Sequence, residues 1–142
     1  MTGATAYIGL ARKAGMLETG EENAGSTVRA GKAKLLVLAS DASENARRRA
    51  EGFVAGTRVP LLYARLSKAE ISDACGRPGC SMIVFKDLGL ADSFAAALAE
   101  SDETLAPLVQ ELHERKEKEN KRKQEALAHA RNKKLGKRRK NV

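Results

Sequence analysis

The chain has 142 residues, 42% of them hydrophobic and 4% aromatic, with no tryptophan, a formal net charge of +8 and an isoelectric point near 9.7. That length supports one domain with a real core and leaves no room for two ordinary ones. The charge makes polyanions the first class of partner to test, while the scarcity of Phe, Tyr and Trp argues against a platform that stacks splayed bases.

From the N-terminus, the start Met1-Thr2-Gly3-Ala4-Thr5 has no basic residue ahead of an apolar run, so a signal peptide is not expected. Residues 8–13 read as helix, and Gly15 and Gly20 mark turns. A second helical pattern covers 21–30 and stops at Gly31. Residues 35–39 form a continuous apolar run, read as a strand buried on both faces. Helix follows over 43–53, with Asp41 or Ser43 as N-cap. Strand returns at 59–64, and helix at 68–75, where Ser67 and Glu70 have capping-box spacing. A strand at 82–85 and a helix at 90–100 complete this part. Alternation of this kind predicts an open α/β sheet covered on both faces.

Charge divides the chain near residue 101. Residues 1–100 hold 13 Lys/Arg against 11 Asp/Glu, and residues 101–142 hold 13 against 7. The expected organisation is therefore a domain over 1–102 and a basic extension, helical or disordered, over 103–142. Leu105, Leu108, Val109 and Leu112 recur at helical spacing, fit to dock on the domain or to pair with another helix. Beyond them, Glu111 and Arg115, Glu114 and Lys118, Glu117 and Lys121, and Glu119 and Lys123 lie four apart, acid first, which supports a solvated helix. After Glu125 there is no acid, only Arg131, Lys133, Lys134, Lys137, Arg138, Arg139 and Lys140, a block suited to neutralising phosphates.

Catalytic and metal chemistry find little support. Both histidines, His113 and His129, lie in the extension, so the first hundred residues offer no Ser-His or Cys-His pair. Cys75 and Cys80 are too few for a disulfide framework and supply only half of a metal site. Neither common glycine-rich phosphate cradle is present. No enzyme activity, cofactor or metal is expected. The longest apolar stretch is too short to cross a bilayer, so the cytoplasm is the expected compartment, without membrane association. Arg47, Arg48 and Arg49 fan around a helix and read as a solvated face.

Gly20, Glu21, Glu22 and Asn23 open a helix after a glycine. They read either as an ordinary acidic first turn favoured by the helix dipole or as a helix start that enters a nucleic-acid groove. Taken with the stretches Ile8-Gly9-Leu10-Ala11-Arg12-Lys13-Ala14-Gly15, Arg29-Ala30-Gly31-Lys32-Ala33-Lys34-Leu35, Ala39-Ser40-Asp41-Ala42-Ser43-Glu44-Asn45, Val59-Pro60, Ser67-Lys68-Ala69-Glu70-Ile71, Ala74-Cys75-Gly76 and Asp87-Leu88-Gly89-Leu90-Ala91, the chain resembles the superfamily of ribosomal proteins seven-Ae and thirty-e of the large subunit, in its bacterial YlxQ-like branch.

The resemblance covers roughly residues 5 to 100 in order. It implies a three-layer α/β/α sandwich around a four-stranded mixed sheet, and binding of structured RNA, often kink-turns, in ribosomal or other non-coding RNA. The implied RNA-binding residues are Gly20, Glu21, Glu22 and Asn23 at the helix start and Arg77, Pro78, Gly79 and Cys80 in a closing loop, with Lys32 and Lys34 near the backbone. To these the extension adds Lys133, Lys134, Lys137, Arg138, Arg139 and Lys140 through charge. Glu21 and Glu22 stand where the family's strong kink-turn binders have threonine and asparagine, and Asn23 where they have glutamate. Association with the ribosome and a monomeric free state are further expectations. The alternative reading is a protein-interaction module on the same fold, with the extension as its docking segment.

Overall fold

The computed structural model describes residues 3–140, with side chains for residues 3–135. Continuous apolar runs become central strands because both of their faces are covered. In chain order the elements are α1 (Gly3–Lys13), β1 (Leu17–Thr19), α2 (Glu21–Arg29), β2 (Leu35–Leu38), α3 (Glu44–Val54), β3 (Leu61–Tyr63), α4 (Lys68–Cys75), β4 (Met82–Phe85), α5 (Leu88–Ala99), a 3-10 turn (Glu103–Leu105) and α6 (Ala106–Lys140). The strands form one sheet in the order β1-β4-β2-β3. β4 is antiparallel to both β1 and β2, whereas β2 and β3 are parallel, so the sheet is mixed.

Alternation along β2 and β4 builds two apolar layers. Leu35, Val37, Ile83 and Phe85 pack with Ile8, Ile71 and Phe94 of α1, α4 and α5. Leu36, Leu38, Met82 and Val84 pack with Ala24, Val28, Ala46 and Ala50 of α2 and α3. The result is an α/β/α sandwich. Small residues on α2 let α3 approach closely: a Cβ at Gly25 would lie 2.8 Å from the Phe53 ring.

The structure revises several boundaries. β1 escaped the sequence reading because Leu-Glu-Thr has no apolar run, and its strand character comes from pairing Leu17 with Phe85 and Thr19 with Ile83. Ser43, not Asp41, caps α3, its hydroxyl accepting from the Ala46 amide at 3.1 Å. The Asp41 carboxylate instead accepts from the Lys68 amide at 2.7 Å and tethers the start of α4. The Ser67–Glu70 capping box is formed. The arginine triplet is more engaged than a solvated face, since Arg49 crosses to Glu21 at 2.9 Å. Among the described residues no helix is long and apolar enough to cross a membrane.

The extension is helical, and its apolar stripe docks on the chain's own domain. Leu105 and Leu112 are buried where the 3-10 turn and α6 pack on α5, joining the apolar layer on that face of the sheet, and Leu108 and Val109 pack beside them. Of the four spaced pairs, Glu111–Arg115 and Glu119–Lys123 form. Glu117 turns instead to His113, which also reaches Asp92 on α5 at 3.3 Å.

Asp102 governs the junction between α5 and α6. Its carboxylate accepts from the Thr104 hydroxyl and amide and faces Arg65 at 3.5 Å. The Thr104 hydroxyl first, then its amide and Arg65, hold this carboxyl below its usual range. A depressed folded value means that the contribution is complete above the unfolded value, near about 4, and drains away as pH falls through the folded one. The protection factor of the Thr104 amide, its exchange rate relative to an unfolded chain at the same pH, should therefore fall on acidification below about pH 4, and Asp102→Asn should remove that pH dependence.

Candidate nucleic-acid interface

At the end of the sheet where β1 finishes and β4 begins, Gly20 joins β1 to α2 with φ 90° and ψ 161°, a region open essentially to glycine alone. Its amide donates to the Met82 carbonyl at 2.9 Å, and its carbonyl accepts from the Ala24 amide at 2.9 Å. No side chain caps the first turn of α2, so the helix start presents amides as well as the side chains of Glu21, Glu22 and Asn23.

The loop after α4 folds over this turn. Arg77 Nη1 donates to the Thr19 carbonyl at 2.6 Å and to the Thr19 hydroxyl at 3.1 Å. The guanidinium lies against Gly20, where a Cβ would stand 3.0 Å from Nη1. Asn23 Nδ2 donates to the same Thr19 carbonyl at 2.9 Å. Thr19 thus ties the helix start to the closing loop, a role hidden from the sequence because β1 was hidden too. Arg77 bonds here to neutral oxygens, and among the described residues no carboxylate balances its charge. Of the two acids, Glu21 is drawn to Arg49, whereas Glu22 is exposed and, among the described residues, unpaired.

Ser72 holds the loop in place, another residue the sequence did not single out. Its carbonyl accepts from the Gly76 and Arg77 amides at 2.8 and 3.2 Å, and its hydroxyl from the Cys80 amide at 2.9 Å. Gly76, at φ 72°, is the left-handed cap of α4. The Arg12 guanidinium lies over Gly76 and brings a second cation to the loop. Pro78 and Gly79 are exposed. Cys80 is not, because its side chain is turned into the core and its thiol contacts the Met82 carbonyl at 3.2 Å. Burial, then the neighbouring Cys75, raise this thiol above its ordinary range and keep it protonated. Cys80 anchors the loop and its side chain faces no ligand.

The two lysines grouped with this site belong elsewhere. α2 has 9 residues, a length of about 13 Å, and Lys32 and Lys34 follow its far end. The Lys34 amide donates to Phe85 at the end of β4, so both lysines sit at the opposite end of the sheet from Gly20. There Lys32, Lys34 and Lys86 line a depression with Gly15, Met16 and Gly31. Lys133 and Lys134 are exposed on α6, beyond its docked turns. The side chains of Lys137, Arg138, Arg139 and Lys140 lie outside the described residues. Among the described residues, no group of three or more His, Cys, Asp or Glu is placed to hold a metal ion.

Residues 4–94 match the family described as ribosomal protein L7Ae/L30e/S12e/Gadd45. Over 71 residues the chain is 41% identical to the RNA-binding protein YlxQ of Enterococcus faecium, covering 50% of this chain and 68% of that protein. A protein of unknown function from Bacillus halodurans superposes with a TM-score of 0.64 at 26% identity, covering 69% of this chain and 98% of its own. The Giardia lamblia 15.5kD RNA binding protein shares the fold, with a TM-score of 0.57 at 20% identity over 72% of this chain and 86% of its own.

Proposed function

The chain belongs to the ribosomal protein L7Ae/L30e/S12e/Gadd45 family, and from that premise we propose that it binds structured RNA at the junction of Gly20–Asn23 with the loop of residues 76–80. The observation that carries this reading is Arg77. Its guanidinium is fixed by two neutral oxygens of Thr19 and, among the described residues, pairs with no carboxylate, so it is preorganised for a phosphate. The open amides of α2 favour the same ligand. Diverting Glu21 into Arg49 lowers the repulsion that two acids would impose. That leaves Glu22 and Asn23 to meet the exocyclic amino groups and base edges of a widened groove. A kink-turn or a similarly bent internal loop, in ribosomal or other non-coding RNA, suits a site that reads shape and phosphate with few direct base contacts.

In this reading residues 1–102 recognise the RNA and residues 103–142 add affinity through charge. The molecule works as a monomeric cytoplasmic binder, in the company of the ribosome and without a reaction of its own. The alternative of a protein-docking module loses its motivating observation, since Leu105 and Leu112 are buried in the chain's own core.

Calorimetric titration of the full chain with a kink-turn RNA and with a plain duplex of equal length tests the proposal. Tighter binding to the kinked RNA, reduced about tenfold by Arg77→Ala as befits one charge-assisted contact, is expected. Equal affinity for both RNAs, unaffected by Arg77→Ala, would overturn it.

A further inference from the structure

At the end of the sheet opposite Gly20, a groove of about 800 Å³ runs between α6 and the segments that lead into β2 and β3. Lys34 and Arg58 line it from the domain and Arg115, Lys118 and Arg122 from α6, against a single acid, Glu119. Neither part makes the groove alone. Arg115 Nη1 donates to the Arg58 carbonyl at 2.8 Å and closes α6 onto the loop before β3. The burial of Leu105 and Leu112 fixes α6 in that position.

The nearby carboxylates are already engaged, Glu119 with Lys123 at 3.1 Å and Glu111 with Arg115. Among the described residues, Lys34, Arg58, Lys118 and Arg122 have no carboxylate partner. Cations held around one groove without counter-charge repel each other, and a polyanion seated there reverses the sign of that energy. The charge also has direction. Positions 115, 118 and 122 share a helix face, and exposed Lys133 returns to it about five turns beyond Arg115, a line of roughly 27 Å. A linear row of cations matches a phosphodiester backbone better than a protein partner, whose binding centres on buried aromatic or apolar anchors.

We propose that this groove is a second RNA site, one that takes the backbone of a plain RNA helix, so that the chain bridges two RNA segments at opposite ends of its sheet. The choice of RNA as the polyanion rests on the function proposed above, but the residues are different ones.

The test is a salt series of titrations of the full chain with a plain RNA duplex. The variant Arg58→Ala/Lys118→Ala/Arg122→Ala should bind the duplex at least tenfold more weakly. Its log-log salt slope should be shallower by about 3, one unit per lost phosphate contact. A control with equal charge removed elsewhere, Lys13→Ala/Arg48→Ala/Lys121→Ala, should keep most of the affinity. Arg77→Ala should leave duplex binding unchanged, so failure of the first site shows in the kinked RNA alone and leaves this result standing. Unchanged duplex binding in the groove variant, or an equal loss in the control, overturns the groove. So does preferential, groove-dependent binding of polyglutamate.

Discussion

Gly20→Ala is expected to lower the unfolding free energy by about 1–3 kcal/mol, the cost of holding a side chain in a backbone region open essentially to glycine alone. The same change should weaken binding of kinked RNA. Two effects combine at this position. At φ 90° the new Cβ is strained whatever the space around it, and it would also stand 3.0 Å from Nη1 of Arg77. Nη1 is the far end of a flexible side chain, so Arg77 yields and gives up its bonds to Thr19. Loss of preorganisation then reaches the RNA through Arg77 and not through Gly20 itself. In a double-mutant cycle, Gly20→Ala and Arg77→Ala should be less than additive for RNA affinity, because both remove the same contact. For stability the backbone strain should persist in the Arg77→Ala background. Denaturant unfolding measured beside calorimetric titration reads both quantities. Full additivity in RNA binding would mean that Gly20 and Arg77 act independently, which their packing contradicts.

The strands buried on both faces were legible in the sequence, since Leu35–Leu38 and Met82–Phe85 are uninterrupted apolar runs and need no tertiary knowledge to be read. The Ser67–Glu70 box was equally local, two side chains serving amides three residues apart. β1 was not legible, because its three residues are a strand only by virtue of the β4 edge that they complete. Everything that depends on β1 was hidden with it, including Thr19 as the hub joining Asn23 to Arg77, residues separated by most of the fold. The position of Lys32 and Lys34 at the opposite end of the sheet from Gly20 was not legible either. The resemblance placed them near the RNA backbone without saying at which end of the sheet, and a helix carries its two ends apart by its whole length. Ser72 is a small polar residue in a helix, without a pattern of its own, and its hold on Cys80 exists only once the chain has turned back at Gly76. The composite groove joins residue 34 to residue 122 and has no local signature.

Leu112→Ala should cost about 2–5 kcal/mol, the usual range for a fully buried leucine that leaves a cavity. Leu112 is 0% exposed where α6 packs on α5, as part of the larger apolar layer. Beside it α6 is held only by the half-buried Leu108 and Val109 and by the exposed contacts of His113 and Arg115, and beyond those it depends on spaced ion pairs, which contribute only about 0.2–0.5 kcal/mol each. Loss of this anchor should therefore do more than soften a core. α6 should detach, with Arg115 leaving the Arg58 carbonyl, and limited proteolysis should cut after residue 106 at conditions under which the native chain resists. Leu127→Ala on the same helix, at a position 67% exposed, supplies the comparison and should change stability by less than about 0.5 kcal/mol. Duplex RNA separates docking from charge. Both variants keep every cation, so if the groove reads RNA through the fixed placement of Lys118 and Arg122 beside Lys34 and Arg58, only Leu112→Ala should weaken duplex binding. If the two variants bind the duplex alike while only one is destabilised, the cations act as an unplaced cloud and the docked position of α6 serves stability alone.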